Sequence, residues 1–279
     1  MFSQTSRMTP RARALSGRCR TIALTIVASA IAASLIATPV AATTLFQEDF
    51  EAYAVGSNVT GQGGWVPDYV NNALNVGNGS FLPTKVLNGL APTNGALNFS
   101  ARPLGFALDP NRITTFAFDA YATSSGRTHN AVIGLGNASI PLFTTSGLYW
   151  EPFLLTAAGP RWRFEVQNFT GNPSDFIDVS GGYDTPVKMS IVIDGVANEV
   201  YGVYDFGSGA HQTPHYAITD AQIATLNEVG VAFDFRGTRG PELDNLRLFD
   251  NVSAAVPEPG TALLFAASVG LLGFTRRRS

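Results

Sequence analysis

The chain has 279 residues, with 18 Lys and Arg against 21 Asp and Glu, and 45% of its residues are hydrophobic. Eight of the arginines lie in the first twenty positions or close to the C-terminus, so residues 43–255 hold 10 basic and 20 acidic side chains, a net charge of −10. A surface of this sign repels phosphate, which excludes nucleic-acid binding, and the chain is too apolar to be disordered.

The first 42 residues predict a secretory signal that is removed. The basic stretch ends at Arg20, an uncharged apolar run follows over residues 22–37, and Pro39 interrupts it. Val40-Ala41-Ala42 then supplies the small residues that signal peptidase inspects, so we expect cleavage after Ala42. A retained membrane anchor is the alternative, but the run is short for a spanning helix. Cleavage also removes Cys19, the single cysteine, which excludes thiol catalysis and Cys-ligated metal sites in the mature chain.

Residues 43–255 predict an all-β domain, an antiparallel β-sandwich of about a dozen strands. Apolar and polar side chains alternate over residues 114–119, 161–167, 187–194 and 231–236. Each of these segments has one apolar face and one largely polar face, as two packed antiparallel sheets require. Asp194-Gly195 predicts a hairpin turn that leads into a strand through residues 201–204. The best helical candidate is short and begins at Thr219-Asp220.

The two ends of this domain carry a family resemblance. The N-terminal end contains the segments FQEDFEAY at residues 46–53 and GQGGW at residues 61–65, and the C-terminal end contains LDNLRL at residues 243–248. Together they resemble concanavalin-like (laminin-G-like) jelly rolls, which are common in bacterial surface proteins and carbohydrate-active enzymes. Residues 186–204 look like the hairpin of such domains. The resemblance implies that the first and last strands are neighbours in one sheet.

A structural Ca²⁺ is expected where those two strands meet. By alternation, Asp244 shares a strand face with Leu246 and Leu248, which should point inward. An inward carboxylate needs a cation or several hydrogen-bond donors to offset its desolvation. Similar jelly rolls hold Ca²⁺ near such a place, so the resemblance implies Glu48, Asp49 and Asp244 as candidate ligands. The alternative is that these carboxylates face water or cap a loop.

Glycan binding requires aromatic side chains that stack on sugar rings and polar side chains that hold the hydroxyls. Several aromatic residues lie in or beside predicted loops, and a polar stripe lies opposite Trp162, which we expect in the core. The candidate ligand-binding residues are Trp65, Tyr69, Trp150, Arg161, Arg163 and Glu165. The polar stripe suits a concave sheet that binds a ligand, and the alternative is a solvated outer face.

The sequence does not favour an enzyme. Glycoside hydrolysis needs two facing carboxylates, and laminarinase-like relatives place them on one strand as Glu-x-Asp-x-x-Glu, a string that does not occur here. In the densest acidic cluster, alternation puts Glu48 and Glu51 on opposite strand faces. No Gly-x-Ser-x-Gly motif is present, and the chain has three histidines. We therefore expect no catalytic residue, with a carbohydrate-active hydrolase or lyase on the same fold as the alternative.

Residues 256–279 predict a sorting signal. Pro257, Glu258 and Pro259 precede an uncharged run over residues 261–275, and three arginines follow it. The prolines stop any preceding strand, the apolar run enters a bilayer, and the arginines stay on the cytoplasmic side. At 15 residues the run is marginal as a permanent span, which favours transient inner-membrane anchoring. This end resembles the PEP-CTERM sorting signal of Gram-negative bacteria, which implies recognition by an exosortase and cleavage near the motif.

The predicted organisation is thus a signal peptide over residues 1–42, a β-sandwich over 43–255 and a sorting signal over 256–279. We expect an exported, non-enzymatic protein of the cell surface or extracellular matrix, with extracellular polysaccharide as its candidate ligand. Signal peptidase and exosortase are its expected partners during export. A structural matrix component without a small ligand is a further alternative.

Overall fold

The structure is a computed structural model. It describes residues 42–67, 74–88, 97–124, 130–137, 147–155, 159–167, 175–234 and 241–250. These residues all belong to one compact unit, Ala42–Ser279. The predicted signal peptide, the sorting signal and Tyr69 lie outside the described ranges. None of the helices within those ranges has the length and hydrophobicity that crossing a membrane requires.

Over the described ranges, the chain forms sixteen strands and one short helix. The elements are β1 (Thr43–Glu48), β2 (Val66–Pro67), β3 (Asn75–Asn78), β4 (Lys85–Asn88), β5 (Leu97–Pro103), β6 (Ile113–Tyr121), β7 (Asn130–Gly136), β8 (Gly147–Leu155), β9 (Gly159–Gln167), β10 (Asp175–Ser180), β11 (Pro186–Asp194), β12 (Glu199–Asp205), β13 (Ala210–Gln212), β14 (Tyr216–Ala217), α1 (Asp220–Ile223), β15 (Glu228–Asp234) and β16 (Glu242–Asp250).

The strands form two antiparallel sheets. The nine-stranded sheet has the order β13-β12-β11-β6-β16-β4-β3, with β1 paired to β16 and β14 paired to β12. The seven-stranded sheet has the order β10-β9-β8-β7-β15-β5-β2. The apolar face of each sheet packs against the other sheet, as the alternating segments of the sequence require. The predicted antiparallel β-sandwich is confirmed.

Trp150 on β8 joins the two sheets through the core. Its ring contacts Phe164 of the neighbouring strand at 5.2 Å between centroids, and its Nε1 donates to the backbone oxygen of Ser190 across the sandwich at 2.9 Å. Gly202 on β12 leaves room for the indole, because a Cβ at this position would lie 2.3 Å from Cζ2 of Trp150. The absence of a side chain at residue 202 therefore sets how closely β12 packs on β8.

Three local predictions are confirmed. Residues 194 and 199 close a hairpin between β11 and β12. Helix α1 begins after Thr219, whose hydroxyl accepts from the backbone N–H of Gln222 while the Gln222 side chain accepts from the backbone N–H of Thr219. The first and last strands are neighbours, with Glu48 of β1 opposite Leu246 of β16.

A β-bulge in β16 overturns the predicted orientation of Asp244. The register of β16 against β6 shifts between Asp244 and Arg247, and Asn245 within the shift has φ of +53°. Asp244 lies opposite Asp119, so both side chains lie on the outer face of the sheet, whereas Leu246 beyond the shift returns to the core. The prediction that Asp244 shares a face with Leu246 is wrong, because the extra residue of the bulge breaks the alternation.

Candidate functional site

A polar cluster occupies the outer face of the seven-stranded sheet, on strands β8, β9 and β10. Trp150 on β8 and Trp162 and Phe164 on β9 point into the core. The residues that alternate with them along each strand therefore point outward. The outward side chains meet because the registers place Tyr149 opposite Glu165, Glu151 opposite Arg163, and Arg163 opposite Asp178. These five residues, Tyr149, Glu151, Arg163, Glu165 and Asp178, are called the Glu151 cluster.

Asp178 forms ion pairs with Arg163 of the cluster and with Arg161 beside it. It accepts hydrogen bonds from Nε of Arg163 at 2.8 Å and from Nη1 of Arg161 at 3.0 Å. The hydrogen bonds from Arg163, and secondarily those from Arg161, hold the pKa of Asp178 below its usual value in spite of burial. The guanidinium of Arg163 also lies 3.8 Å from the ring centroid of Phe176, which fixes its plane. Arg163 is thus held by Asp178 and Phe176 on one side of the cluster.

Among the carboxyls of this cluster, Glu151 has the pKa that is shifted most from its ordinary value. Its exposed fraction is 9%, and no group among the described residues donates a hydrogen bond to its carboxyl. Burial raises its pKa from 4.5 to about 7, the charge of Glu165 adds to the rise, and Arg163 opposes it. Near neutral pH the carboxyl is therefore divided between its protonated and ionised forms.

The neighbours of Glu151 share its environment. Burial raises the pKa of Glu165, although a hydrogen bond from Tyr149 and the charge of Arg163 lower it. Burial also raises the pKa of Tyr149, with the charge of Glu165 adding to the effect, so the phenol stays protonated and remains a donor. The cluster therefore combines a phenol, two buried carboxyls and a held guanidinium on neighbouring strands of one sheet face.

The structure places the predicted ligand-binding residues in two different environments. Arg161, Arg163 and Glu165 lie on the outer face of the sheet, where the alternation predicted them. Trp65 and Trp150 are wrong as sugar-stacking platforms, because their exposed fractions are 1% and 0%. Both indoles fill the core and have their N–H groups satisfied inside it, as shown for Trp150. Tyr69 lies outside the described residues.

Glu151 and Asp178 were missed by sequence reasoning. The search for paired carboxylates followed single strands, whereas these acids lie on β8 and β10 with Glu165 between them on β9. A signal was present, because Glu151 directly follows a tryptophan that fills the core. Assigning Trp150 to the core would have placed both of its neighbours in sequence on the outer face.

The carboxylate of Glu48 does not need a metal ion to offset its burial. It accepts from the backbone N–H of Phe50 at 3.1 Å, from Oη of Tyr53 at 2.8 Å and from Nε1 of Trp65 at 3.2 Å. Arg102 lies 3.5 Å away as a cationic partner. These donors offset the desolvation of the Glu48 carboxylate whether or not a cation binds there.

Asp244 is a more suitable metal ligand than Glu48. Its Oδ2 accepts from Oγ1 of Thr84 and from Nδ2 of Asn245, whereas its buried Oδ1 has no hydrogen-bond partner in the part of the chain that the structure describes. Burial raises its pKa, and the charges of Asp119 and Asp49 add to the rise. In the described part of the chain, no three His, Cys, Asp or Glu residues come close enough together to hold a metal ion. Calcium binding at Glu48, Asp49 and Asp244 stays a prediction.

The C-terminal residues identify where the protein is sent. Residues 255–279, which include Pro257, Glu258 and Pro259, match the PEP-CTERM protein-sorting motif of known protein families. The chain carries a PEP-CTERM sorting motif. The predicted C-terminal signal is confirmed, and the protein is an exported surface protein that is processed at the membrane and sorted by an exosortase. The PEP-CTERM match does not extend into the β-sandwich.

Comparison of the chain with curated protein sequences gives no match. Among solved structures, the carbohydrate recognition domain of Emp47p is 13% identical, with 77% of this chain and 100% of that chain covered and a TM-score of 0.49. A GH43 protein from Bacillus licheniformis is 12% identical, and the match covers 72% of this chain but 38% of that one, with a TM-score of 0.49. Peanut lectin is 10% identical over 76% of this chain and 100% of the lectin, with a TM-score of 0.47.

Proposed function

We propose that this exported PEP-CTERM protein is a non-enzymatic component of the cell surface or extracellular matrix of a Gram-negative bacterium, and that it binds polysaccharide through the Glu151 cluster. The observation that supports this most directly is the carboxyl of Glu151, which is nine-tenths buried and accepts no hydrogen bond from the described residues. Sugar hydroxyls both donate and accept, so they can satisfy this carboxyl in either protonation state.

The charge balance of the cluster favours a neutral polysaccharide. Asp178 offsets part of the charge of Arg161 and Arg163, burial keeps Glu151 partly protonated near neutral pH, and burial also raises the pKa of Glu165. The face therefore carries no large charge of either sign, while residues 43–255 as a whole carry a net charge of −10. A strongly acidic polymer would be repelled by that net charge, whereas a neutral chain would not.

The proposal is tested by measuring how the full chain binds a panel of neutral polysaccharides in affinity electrophoresis. Wild type should be retarded by at least one polysaccharide, and Glu151→Ala should weaken the retardation about tenfold, because one buried hydrogen-bonding group is lost. Glu199→Gln is the matched control, since this carboxylate lies on β12 of the other sheet. If wild type binds no member of the panel, the proposal fails and a structural component without a small ligand is favoured.

A carbohydrate-active hydrolase is the second candidate, because Glu151 has a pKa of about 7 and lies beside a second buried carboxyl, Glu165. A general acid works best with a pKa near the operating pH, and glycoside hydrolysis uses two carboxyl groups. The measurement is the release of reducing ends from the same polysaccharides between pH 5 and pH 8. Cleavage that is lost in both Glu151→Gln and Glu165→Gln would establish the enzyme, whereas binding without cleavage supports the non-enzymatic proposal.

A further inference from the structure

A groove lies on the outer face of the nine-stranded sheet, on the opposite side of the sandwich from the Glu151 cluster. Its volume is about 390 Å³, within the range of ligand sites, and it crosses β16, β6, β11 and β12. Its polar lining residues are Asp119, Lys188, Ser190, Asp205, Asn245 and Arg247. It is called the Lys188 groove.

The strand registers explain why a groove forms here. Asp119, Lys188 and Asp205 lie opposite one another on β6, β11 and β12 and form a charged row across the sheet. In the next row, the small residues Ala117 and Ser190 lie opposite each other. Short side chains in the second row leave a depression beside the long side chains of the first, so the charged row becomes one wall of the groove.

The opposite wall and the end of the groove differ in character from the charged row. Thr115 and Phe249 lie opposite each other in the third row, and both line the groove. Arg247 lies at the β16 end, opposite Ala117. The groove thus has one charged wall, a floor of short side chains and an apolar, aromatic contribution from Phe249.

Two cationic groups in the groove keep unused hydrogen-bond donors. Lys188 is exposed, and its ammonium forms no ion pair with any described residue. Nη2 of Arg247 donates to Oδ1 of Asn245 at 3.1 Å, but its buried Nε finds no acceptor among the described residues. Asn245 in turn donates to Oδ2 of Asp119 at 2.8 Å, so its amide is already committed to this network. Lys188 lies opposite Asp119 on one side and Asp205 on the other, so a cationic donor stands between two carboxylates in the charged row.

We infer that the Lys188 groove is a second binding site, which takes a segment of a neutral polysaccharide. Vicinal hydroxyls donate and accept at adjacent atoms, which matches donors and acceptors that alternate along a row. Asp119, Lys188 and Asp205 alternate in sign along that row. A polymer whose charges all have one sign would therefore be repelled by at least one of them. Phe249 offers an apolar surface to the C–H face of a sugar ring.

Two sites on opposite outer faces allow one molecule to bind two polysaccharide chains at once. This bridging activity rests on the proposed function of the Glu151 cluster, whereas binding in the Lys188 groove does not. A protein that joins two chains would cross-link a polysaccharide matrix without forming any covalent bond. Linking two sites in one rigid body also raises the avidity for a dense matrix above that of either site.

The groove is tested by titrating the full-length chain with neutral cello-, laminari- and malto-oligosaccharides in a calorimeter, with an oligouronate as the acidic comparator. In a Glu151→Ala background, one neutral series should still bind, and Lys188→Gln should weaken that binding at least fivefold. Lys188→Gln should not change the melting midpoint, because its side chain is exposed and unpaired. Ser190→Asn provides a second variant, which fills the floor while every charge remains.

The outcomes separate the groove from the Glu151 cluster. Loss of binding on Glu151→Ala alone, with no further effect of either groove variant, overturns the inference but leaves the proposed function intact. Residual binding that both groove variants abolish supports the groove, whatever happens at Glu151. Tighter binding of the oligouronate than of every neutral series would overturn the assigned ligand class. Wild type should also precipitate a soluble polymer of the series that binds, and each single-site variant should not.

Discussion

The pKa of Glu151 makes the stability of the fold depend on pH. Burial raises this pKa from 4.5 to about 7, so between these values the folded state holds a proton that the unfolded chain has released. Because the folded state binds more protons in this window, its stability falls as the pH rises, by ~1.4 kcal/mol for each pH unit. Ionisation of this one group should therefore cost about 3 kcal/mol of stability by pH 8.

Glu151→Gln should remove that cost. The amide has nearly the same size as the carboxyl and cannot ionise, so the variant should match wild type near pH 4.5. At pH 8 it should exceed wild type by about 3 kcal/mol, or about 6–12 °C in melting midpoint for a domain of this size. Urea unfolding of the full chain at pH 5, 6.5 and 8, followed by tryptophan fluorescence, measures the difference directly.

The difference between variant and wild type is the informative quantity, because other groups also titrate in this range. Glu165→Gln should give a change of the same sign, since burial raises its pKa as well. Asp220→Asn is the control for the substitution itself, because it replaces an exposed carboxylate on α1 that forms no ion pair with a described residue. A Glu151→Gln variant whose advantage is the same at every pH would refute the assigned ionisation.

Three further predictions concern other parts of the sandwich. Gly202→Ala should destabilise the fold by about 1–3 kcal/mol in urea unfolding, because its Cβ would contact the ring of Trp150. Glu242→Gln should accelerate hydrogen exchange at residues 80–82, whose backbone N–H groups donate to this carboxylate at 2.8–3.1 Å. Millimolar calcium should raise the melting midpoint of wild type but not of Asp244→Ala, because a ligand of the native state stabilises it; equal midpoints in calcium and in chelator would contradict the predicted site.

The elements that could be predicted from sequence are those fixed by neighbours along the chain. The hairpin between β11 and β12 follows from a turn dipeptide between alternating segments, and helix α1 follows from a capping residue. The alternation of β9 correctly placed Trp162 in the core and Arg163 outside. Each of these features is determined within about ten residues, so its signal is visible in one segment of sequence.

The features that could not be predicted depend on which residues from distant parts of the chain the strand registers and the core packing bring together. One inserted residue at Asn245 reverses the orientation of Asp244, and no feature of this segment marks the bulge. Trp65 follows a glycine-rich turn and looked exposed, but its side chain enters the core and donates to Glu48. The pKa of Glu151 depends on Arg163, Glu165 and Asp178, which lie 12 or more residues further along the chain on β9 and β10.

The cost of ionising Glu151 links ligand binding to pH. A sugar hydroxyl that donates to this carboxyl stabilises its charged form, and it therefore lowers the pKa in the complex. By linkage, a polysaccharide that binds at the Glu151 cluster should bind more tightly as the pH rises from 5 to 8, and it should raise the melting midpoint more at pH 8. The affinity of Glu151→Gln should depend less on pH than that of wild type, because its amide does not titrate. Ligand stabilisation in wild type that is equal at pH 5 and pH 8 would show that no sugar hydroxyl favours the charged form of this carboxyl, and it would refute the linkage.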